Sequence, residues 1–271
     1  MQTDKQSAMQ SALVRLKSAL KKRGDAAEAR FNRAAADLRA FISDEVLPLI
    51  DSVLAERPDL GPAVPYALME FMDNDRVQDR VAEIFGLLDS DARCGLIQSI
   101  GLGEVARLEP ILAMTIRSDP DPRCRSEAIR VAGVLKSEQC WPLVLELAES
   151  SHPDLEGTLK DYGRIEGEPY LRRVFESDGA WASPADDYPP SPMREEMIRS
   201  GRRHRKIFAA WGLAKFGDRT AVKFLGEALS IDDCSFRAAQ GLADVFELPF
   251  EWHSTYRDQV RVWWRKIRAE I

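Results

Sequence analysis

A repeat with a period of about 30 residues, in the middle of the chain, constrains the fold more than any other feature. Three segments align with one another: Arg93–Ser118, Arg123–Ser150 and Pro153–Ser177. Each segment offers two short amphipathic runs, and no comparable run alternates in the manner of a strand. A period of this length is typical of solenoids, in which each unit buries its apolar face against its neighbours.

Glycines and prolines mark the turns within these units. A glycine lies near the end of each first run and a proline opens each second run: Gly101, Gly133 and Gly163, then Pro110, Pro142 and Pro169. Glycine can adopt a positive φ at a helix end with little strain. Proline suits the first turn of a helix, because the N–H groups there have no partner within the helix and the N–H that proline lacks is not missed. The pattern therefore predicts helix, tight turn and helix in every unit.

A fourth unit, Arg205–Leu229, reads RKIFAAWGLAKFGDRTAVKFLGEAL, and a partial fifth spans Phe236–Phe246. The fourth unit resembles the HEAT-like repeats of the phycobilisome-lyase type, in which a hydrophobic helix, Leu-Gly-x-Leu-Gly-Asp and an Ala-Val helix follow one another. The resemblance implies an all-α fold, namely a right-handed α-solenoid (superhelix) of antiparallel helix hairpins. It says little about function, because one fold can carry many functions.

The predicted organisation is one domain over residues 1–271. Residues 1–90 form an N-terminal helical cap, residues 91–246 the repeats, and residues 247–271 a C-terminal capping helix that covers the last repeat. One segment, at 178–192, lacks a helical pattern, because its four prolines and three aspartates are incompatible with a regular helix. We expect an inserted loop there.

Composition narrows the functional classes. The formal net charge of −6 opposes general binding to nucleic acid, although a local basic stripe stays compatible with it. The four cysteines show no metal-ligand spacing, so we expect them in the core and predict no metal. No apolar stretch is long enough to span a membrane and the first 25 residues lack a secretory signal. These features predict a cytoplasmic protein with reduced thiols.

The sequence contains no recognisable catalytic motif. The segment Gly101-Leu-Gly103 superficially matches a dinucleotide-binding loop, but that loop follows a strand, whereas a helical pattern precedes this one. The three histidines, His152, His204 and His253, are far apart in sequence. The sequence therefore predicts no catalytic residues and no cofactor.

Candidate partner-binding residues fall in three groups. The second helices of solenoid hairpins conventionally line a concave groove, which here would hold Arg107, Arg117, Arg172, Arg173, Lys223 and Glu227. A basic run with Arg202, Arg203 and Arg205 is either a solvated helix face or a site for carboxylates or phosphates. In the loop, Trp181, Asp186, Asp187 and Tyr188 either fold back onto the helices or act as interface anchors.

The leading functional hypothesis is a non-enzymatic scaffold that binds a partner protein, and more narrowly an inhibitor or immunity protein for one specific partner. A chaperone-like bilin lyase is an alternative that the resemblance suggests, yet no residue matches a defined pigment-binding motif. A HEAT-like DNA-alkylation glycosylase or DNA-binding protein is the other alternative, since one such glycosylase family is built from HEAT-like repeats and uses tryptophan, aspartate and arginine in a basic groove. The acidic net charge counts against it.

Overall fold

The computed structural model describes residues 2–20, 25–150, 155–177, 191–250 and 255–269. Over these ranges the chain consists of α-helices joined by turns and short 3₁₀ segments, and it contains no strand. The prediction of an all-α fold is confirmed. Contacts divide the chain into two compact units, Met1–Val131 and Ala132–Ile271.

The first unit contains the predicted cap region and the first repeat. Its helices are α1 (Gln2–Leu20), α2 (Asp25–Leu38), α3 (Ser43–Glu56), α4 (Val64–Leu68), α5 (Asp75–Ile84), α6 (Ser90–Leu102) and α7 (Glu109–Ser118). Helix α1 packs against α2, α3 and α4, and its Leu13 and Leu16 are fully buried. Side-chain oxygens of Asn74 and Asp89 accept hydrogen bonds from backbone N–H groups in the first turns of α5 and α6, which fixes where these helices begin.

Helix α8 (Pro122–Leu135) contains the boundary between the two units. The helices that follow it are α9 (Trp141–Glu149), α10 (Glu156–Tyr162), α11 (Glu168–Glu176), α12 (Pro192–Lys215), α13 (Arg219–Ala228), α14 (Ser235–Val245) and α15 (Tyr256–Ile267). The central helix of the second unit is α12, which packs against α10, α11, α13 and α14. Its buried side is rich in alanine and includes Trp211 and Leu213.

The helix boundaries follow the predicted pairs of amphipathic runs. Helices α6 and α7 fall on the first unit of the sequence repeat, α8 and α9 on the second, α10 and α11 on the third, and α12 and α13 on the fourth. Pro110, Pro142 and Pro169 lie in the first turns of α7, α9 and α11, as predicted. Helix α12 begins at Pro192 after the N-cap Ser191, whereas residues 178–190 of the expected loop lie outside the described ranges.

A left-handed residue follows the first helix of each of these pairs, and also follows α14. Among the described residues, five have φ between 50° and 87°: Glu104, Lys136, Gly163, Gly217 and Glu247. After four of them, all but Gly163, the next N–H bonds to a carbonyl five residues earlier, at 2.9 to 3.1 Å. This 6→1 bond is the Schellman motif that ends helices. The prediction of a glycine turn is confirmed at Gly163.

The same prediction was wrong for Gly101 and Gly133, which lie inside α6 and α8. A Cβ on Gly101 would lie 3.0 Å from Cγ2 of Val131, and one on Gly133 would lie 3.0 Å from Cα of Thr158. Both glycines therefore permit close packing of their helices instead of a turn.

No described helix has the length and apolar character needed to cross a bilayer.

Candidate binding surface

Some of the predicted groove residues already form ion pairs within the protein, and others do not. Arg107 lies in a 3₁₀ turn before α7, not inside that helix, and its Nη2 is 2.6 Å from Oδ1 of Asp79. Arg117 lies in the last turn of α7, exposed and without an ion-pair partner among the described residues. Of these two cations, Arg117 alone presents an unpaired charge.

On α11 both predicted arginines serve the fold. Arg172 forms ion pairs with Glu168, at 2.7 Å, and with Asp218 at the start of α13. Arg173 donates from Nη2 to the carbonyl oxygen of Ala148 at the end of α9, at 2.8 Å. These contacts tie α11 to its neighbours, so neither guanidinium is available in full to a partner.

The basic run of α12 also contains both exposed arginines and arginines that form ion pairs within the protein. Arg202 is exposed and has no ion-pair partner among the described residues. Arg203 pairs with Glu196 and Asp233, both at 3.1 Å. Arg205 is mostly buried, and its Nε lies 2.6 Å from Oε1 of the buried Glu156. Because a buried pair of this kind holds α10 and α12 together, we leave Arg205 out of the candidate surface.

The predicted loop residues Trp181, Asp186, Asp187 and Tyr188 lie outside the described ranges. Their proposed role as interface anchors stays a prediction.

The two remaining groove residues, Lys223 and Glu227, line one depression of about 440 Å³ between α13 and α15, which we call the basic pocket. Its other lining residues are Gly226, Leu229, Ser230, Arg261, Trp264, Arg265 and Arg268. Four cations and one carboxylate surround it. The pocket is therefore electropositive in a protein whose net charge is −6.

Gly226 and Trp264 build the floor of the basic pocket. The Trp264 side chain, which is 8% exposed, packs directly over the backbone of Gly226. A Cβ at position 226 would lie 1.9 Å from two ring atoms of Trp264, a distance that no structure tolerates. Because Gly226 has no side chain, α15 can approach α13 closely at this point. This approach places the α15 arginines beside Lys223 and Glu227.

The cations of the basic pocket are not equivalent. Arg261 is held by the fold, because its Nε and Nη2 donate to the carbonyl oxygen of Leu229 at 2.9 and 2.6 Å. Lys223, Arg265 and Arg268 are exposed, and no described carboxylate lies within ion-pair distance of them. Arginine and lysine side chains grouped in this way have the charge and the hydrogen-bond donors to bind a carboxylate or phosphate group.

Arg261, Arg265 and Arg268 were not predicted as binding residues, because α15 was expected to act only as a cap on the last repeat. The spacing of these arginines in the sequence could have indicated that they lie together. Residues three and four apart lie on one face of a helix, so these three arginines had to share a side of α15. What the sequence could not show is that this side meets Lys223.

A second cluster brings together His204, Asp233 and Cys234, which offer potential metal-ligand atoms within 4.8 Å of one another. Both carboxylate oxygens of Asp233 lie 3.1 Å from Nη1 of Arg203. Nδ1 of His204 lies 2.9 Å from the carbonyl oxygen of Ser200, so that nitrogen carries the proton. Cys234 is the N-cap of α14, where the helix dipole disfavours a cation. Asp233 and Nδ1 of His204 are therefore already engaged by other groups of the protein.

Burial and hydrogen bonding shift the acidity of several groups near these sites. Burial raises the pKa of the Cys234 thiol to about 12, and its bond to Asp233 acts in the same direction. Burial also acts to raise the pKa of Asp218, but hydrogen bonds from the Ala221 N–H and from Arg172 outweigh it and hold the pKa below its ordinary value. Asp218 is therefore ionised where it caps α13.

Compared with known protein families, with curated proteins and with solved structures, the chain matches none of them.

Proposed function

We propose that this protein is a non-enzymatic scaffold that binds an acidic segment of a partner protein in the basic pocket. The observation that carries the proposal is a group of three exposed cations around the Trp264 floor, for which the described residues supply no ion-pair partner: Lys223, Arg265 and Arg268. Arginine and tryptophan are the residues that contribute most often to protein interfaces when they lie in partly enclosed pockets.

The size and lining of the basic pocket favour a few side chains of a partner over a large cofactor. A volume of about 440 Å³ lies at the lower end of the range of small-molecule sites. Arginine guanidinium groups bind carboxylates through two parallel hydrogen bonds, and the indole offers an apolar surface for the methylene groups beneath a carboxylate. An acidic peptide segment satisfies both features.

The fold that we propose around this pocket is a HEAT-like right-handed solenoid. Two features support it. The first helices of successive pairs, α10, α12 and α14, lie side by side, since α12 packs against both of the others. Each of the five pairs also has a left-handed residue after its first helix. In such a stack the second helices share one face, and α13 and α15 are second helices that meet at the basic pocket.

Because the whole protein carries a net charge of −6, attraction to an acidic partner has to be local. Surface charges more than about 10 Å apart are screened at ordinary ionic strength, so the pocket cations act almost alone at contact. This arrangement suits recognition of one specific partner, as in an inhibitor or immunity protein, better than general binding to polyanions. We expect the interaction to weaken as salt increases.

The test is affinity capture from an extract of the cells that make the protein, with three baits: the wild-type chain, R265E/R268E and R76E/R117E. Arg76 and Arg117 are exposed and unpaired within the described residues, so the control carries the same net charge as the pocket variant. We expect a protein that the wild type and the control retain and that the pocket variant loses. The extract is treated with nuclease in a parallel arm.

Two results would overturn the proposal. One is a partner that all three baits retain equally, since binding would then lie elsewhere. The other is capture that disappears on nuclease treatment, since the pocket cations would then contact nucleic-acid phosphates. Circular dichroism of the three baits confirms that the charge reversals leave the helices intact.

A further inference from the structure

Two cysteines of the first unit lie in contact at the equivalent position of successive repeats. Cys94 lies in α6 and Cys124 in α8, and each follows an arginine, Arg93 or Arg123. Their Sγ atoms are 2.6 Å apart. Sulfur atoms in a disulfide are about 2.05 Å apart, so roughly half an ångström of movement separates the pair from bonding distance.

Neighbouring contacts hold the pair in place. Arg93 forms two hydrogen bonds with Asp119, at 2.8 and 2.9 Å, and fixes α6 against the turn before α8. Sγ of Cys124 also donates to the carbonyl oxygen of Ser90, at 3.3 Å. These contacts hold the two sulfur atoms next to each other.

The two thiols differ in access. Cys124 is buried, whereas Cys94 is partly exposed and is the thiol that a small oxidant reaches first. Burial, together with the hydrogen bond to Cys124, raises the pKa of Cys94 to about 12. The thiolate is the reactive form, so oxidation is slow at neutral pH and accelerates as the pH rises.

We propose that Cys94 and Cys124 are a site of covalent modification by peroxide, at which they form a disulfide that links α6 to α8. In the first step the Cys94 sulfur attacks one oxygen of hydrogen peroxide, the O–O bond breaks, and a sulfenic acid and water are formed. In the second step the Cys124 sulfur attacks the sulfenic sulfur and expels a second water. Both thiols are oxidised and the peroxide is reduced.

The cross-link has a structural consequence. It closes a loop from Cys94 to Cys124 that contains most of α6 and all of α7, and so it restricts the unfolded chain more than the folded one. Oxidation therefore raises the thermal midpoint of unfolding. The other two cysteines, Cys140 and Cys234, are buried in the second unit and should keep their thiols.

The experiment exposes the full-length protein to hydrogen peroxide at pH 8, removes the peroxide, and counts thiols after denaturation. We expect the count to fall from four to two, the monomer mass to fall by two hydrogens, and non-reducing peptide mapping to join Cys94 to Cys124. A thiol reductant should restore four thiols and the original thermal midpoint. The C94S and C124S variants should show no rise in midpoint, whereas C140S should rise as the wild type does.

The proposal is overturned if four thiols persist, if a different pair is linked, if the bond joins two chains, or if Cys94 proceeds to sulfinic acid without a disulfide. The measurements on the wild-type chain do not depend on the folding of any variant, so a variant that fails to fold leaves the test intact.

Discussion

At the scale of single residues, the contact between Gly226 and Trp264 has the clearest consequence. We predict that Gly226→Ala lowers the free energy of unfolding by about 1–3 kcal/mol, because the added methyl group displaces the indole from a packed position. Urea denaturation followed by circular dichroism measures this difference. The same variant should weaken partner binding, since displacement of Trp264 removes the pocket floor.

A matched control is available on α12. A Cβ at Gly201 meets nothing within 4 Å and the position is exposed, so Gly201→Ala should stabilise the helix by up to about 1 kcal/mol. If both alanine variants stabilise the protein, α13 and α15 do not approach each other closely at Gly226.

Residue types alone did not show which predicted site residues are free to bind. Arg202 and Arg205 are three positions apart in one basic run, yet Arg202 is exposed and Arg205 pairs with the buried Glu156. The difference arises because Glu156 belongs to another helix, α10, whose position depends on tertiary packing. A linear charge pattern contains no information about such a partner.

At the scale of elements, the left-handed residues at the helix ends predict opposite effects on stability for two substitutions. Lys136 has φ of 50°, a conformation that costs an L-residue roughly 1 kcal/mol and costs glycine little. Lys136→Gly should therefore raise the free energy of unfolding by up to about 1 kcal/mol. Gly217→Ala, at φ of 87°, should lower it by a similar or larger amount. Thermal melts of the two variants compare the signs, and equal signs would contradict this description of the helix ends.

The Asp218 cap predicts a pH dependence. Its pKa is lower in the folded protein than in the unfolded chain, so its contribution to stability is complete above about pH 4 and is lost as the pH falls through the folded pKa. Asp218→Asn keeps an oxygen to accept from the Ala221 N–H but loses the charge opposite Arg172. The difference in unfolding free energy between wild type and D218N should shrink below pH 4.

A second variant separates the cap from the charge. Asp218→Ala removes both, and should cost about 1 kcal/mol more than D218N at every pH, because the first turn of α13 then loses its acceptor. A wild-type to D218N difference that stays constant between pH 2 and pH 6 would show that the carboxylate has an ordinary pKa.

Element boundaries were the part of the fold most accessible to sequence. The 30-residue period and the prolines at 110, 142 and 169 located α6 to α13, because both act through local backbone geometry. Gly101 and Gly133 misled for an equally physical reason. Glycine serves helix ends and close helix packing alike, and sequence does not distinguish the two uses.

At the scale of the whole molecule, the sequence predicted a protein-binding function, and the basic pocket that we propose for it was found only in the structure. An acidic total charge and the lack of catalytic motifs favoured a protein-binding scaffold. The basic pocket was not predictable as a unit, because it needs α15 to pack on Gly226 of α13 before the arginines of one helix meet the lysine of another. The predicted solenoid and the identity of the partner stay predictions.

Hydrogen exchange of the full chain, alone and in complex with the captured partner, tests directly whether the basic pocket is the binding site. We predict slower exchange on binding in Arg219–Ala228 and Tyr256–Ile267, the two helices of the basic pocket, and no comparable change in α1 to α5. Protection confined to other helices, with α13 and α15 unchanged in the complex, would contradict the assignment of the basic pocket as the binding site.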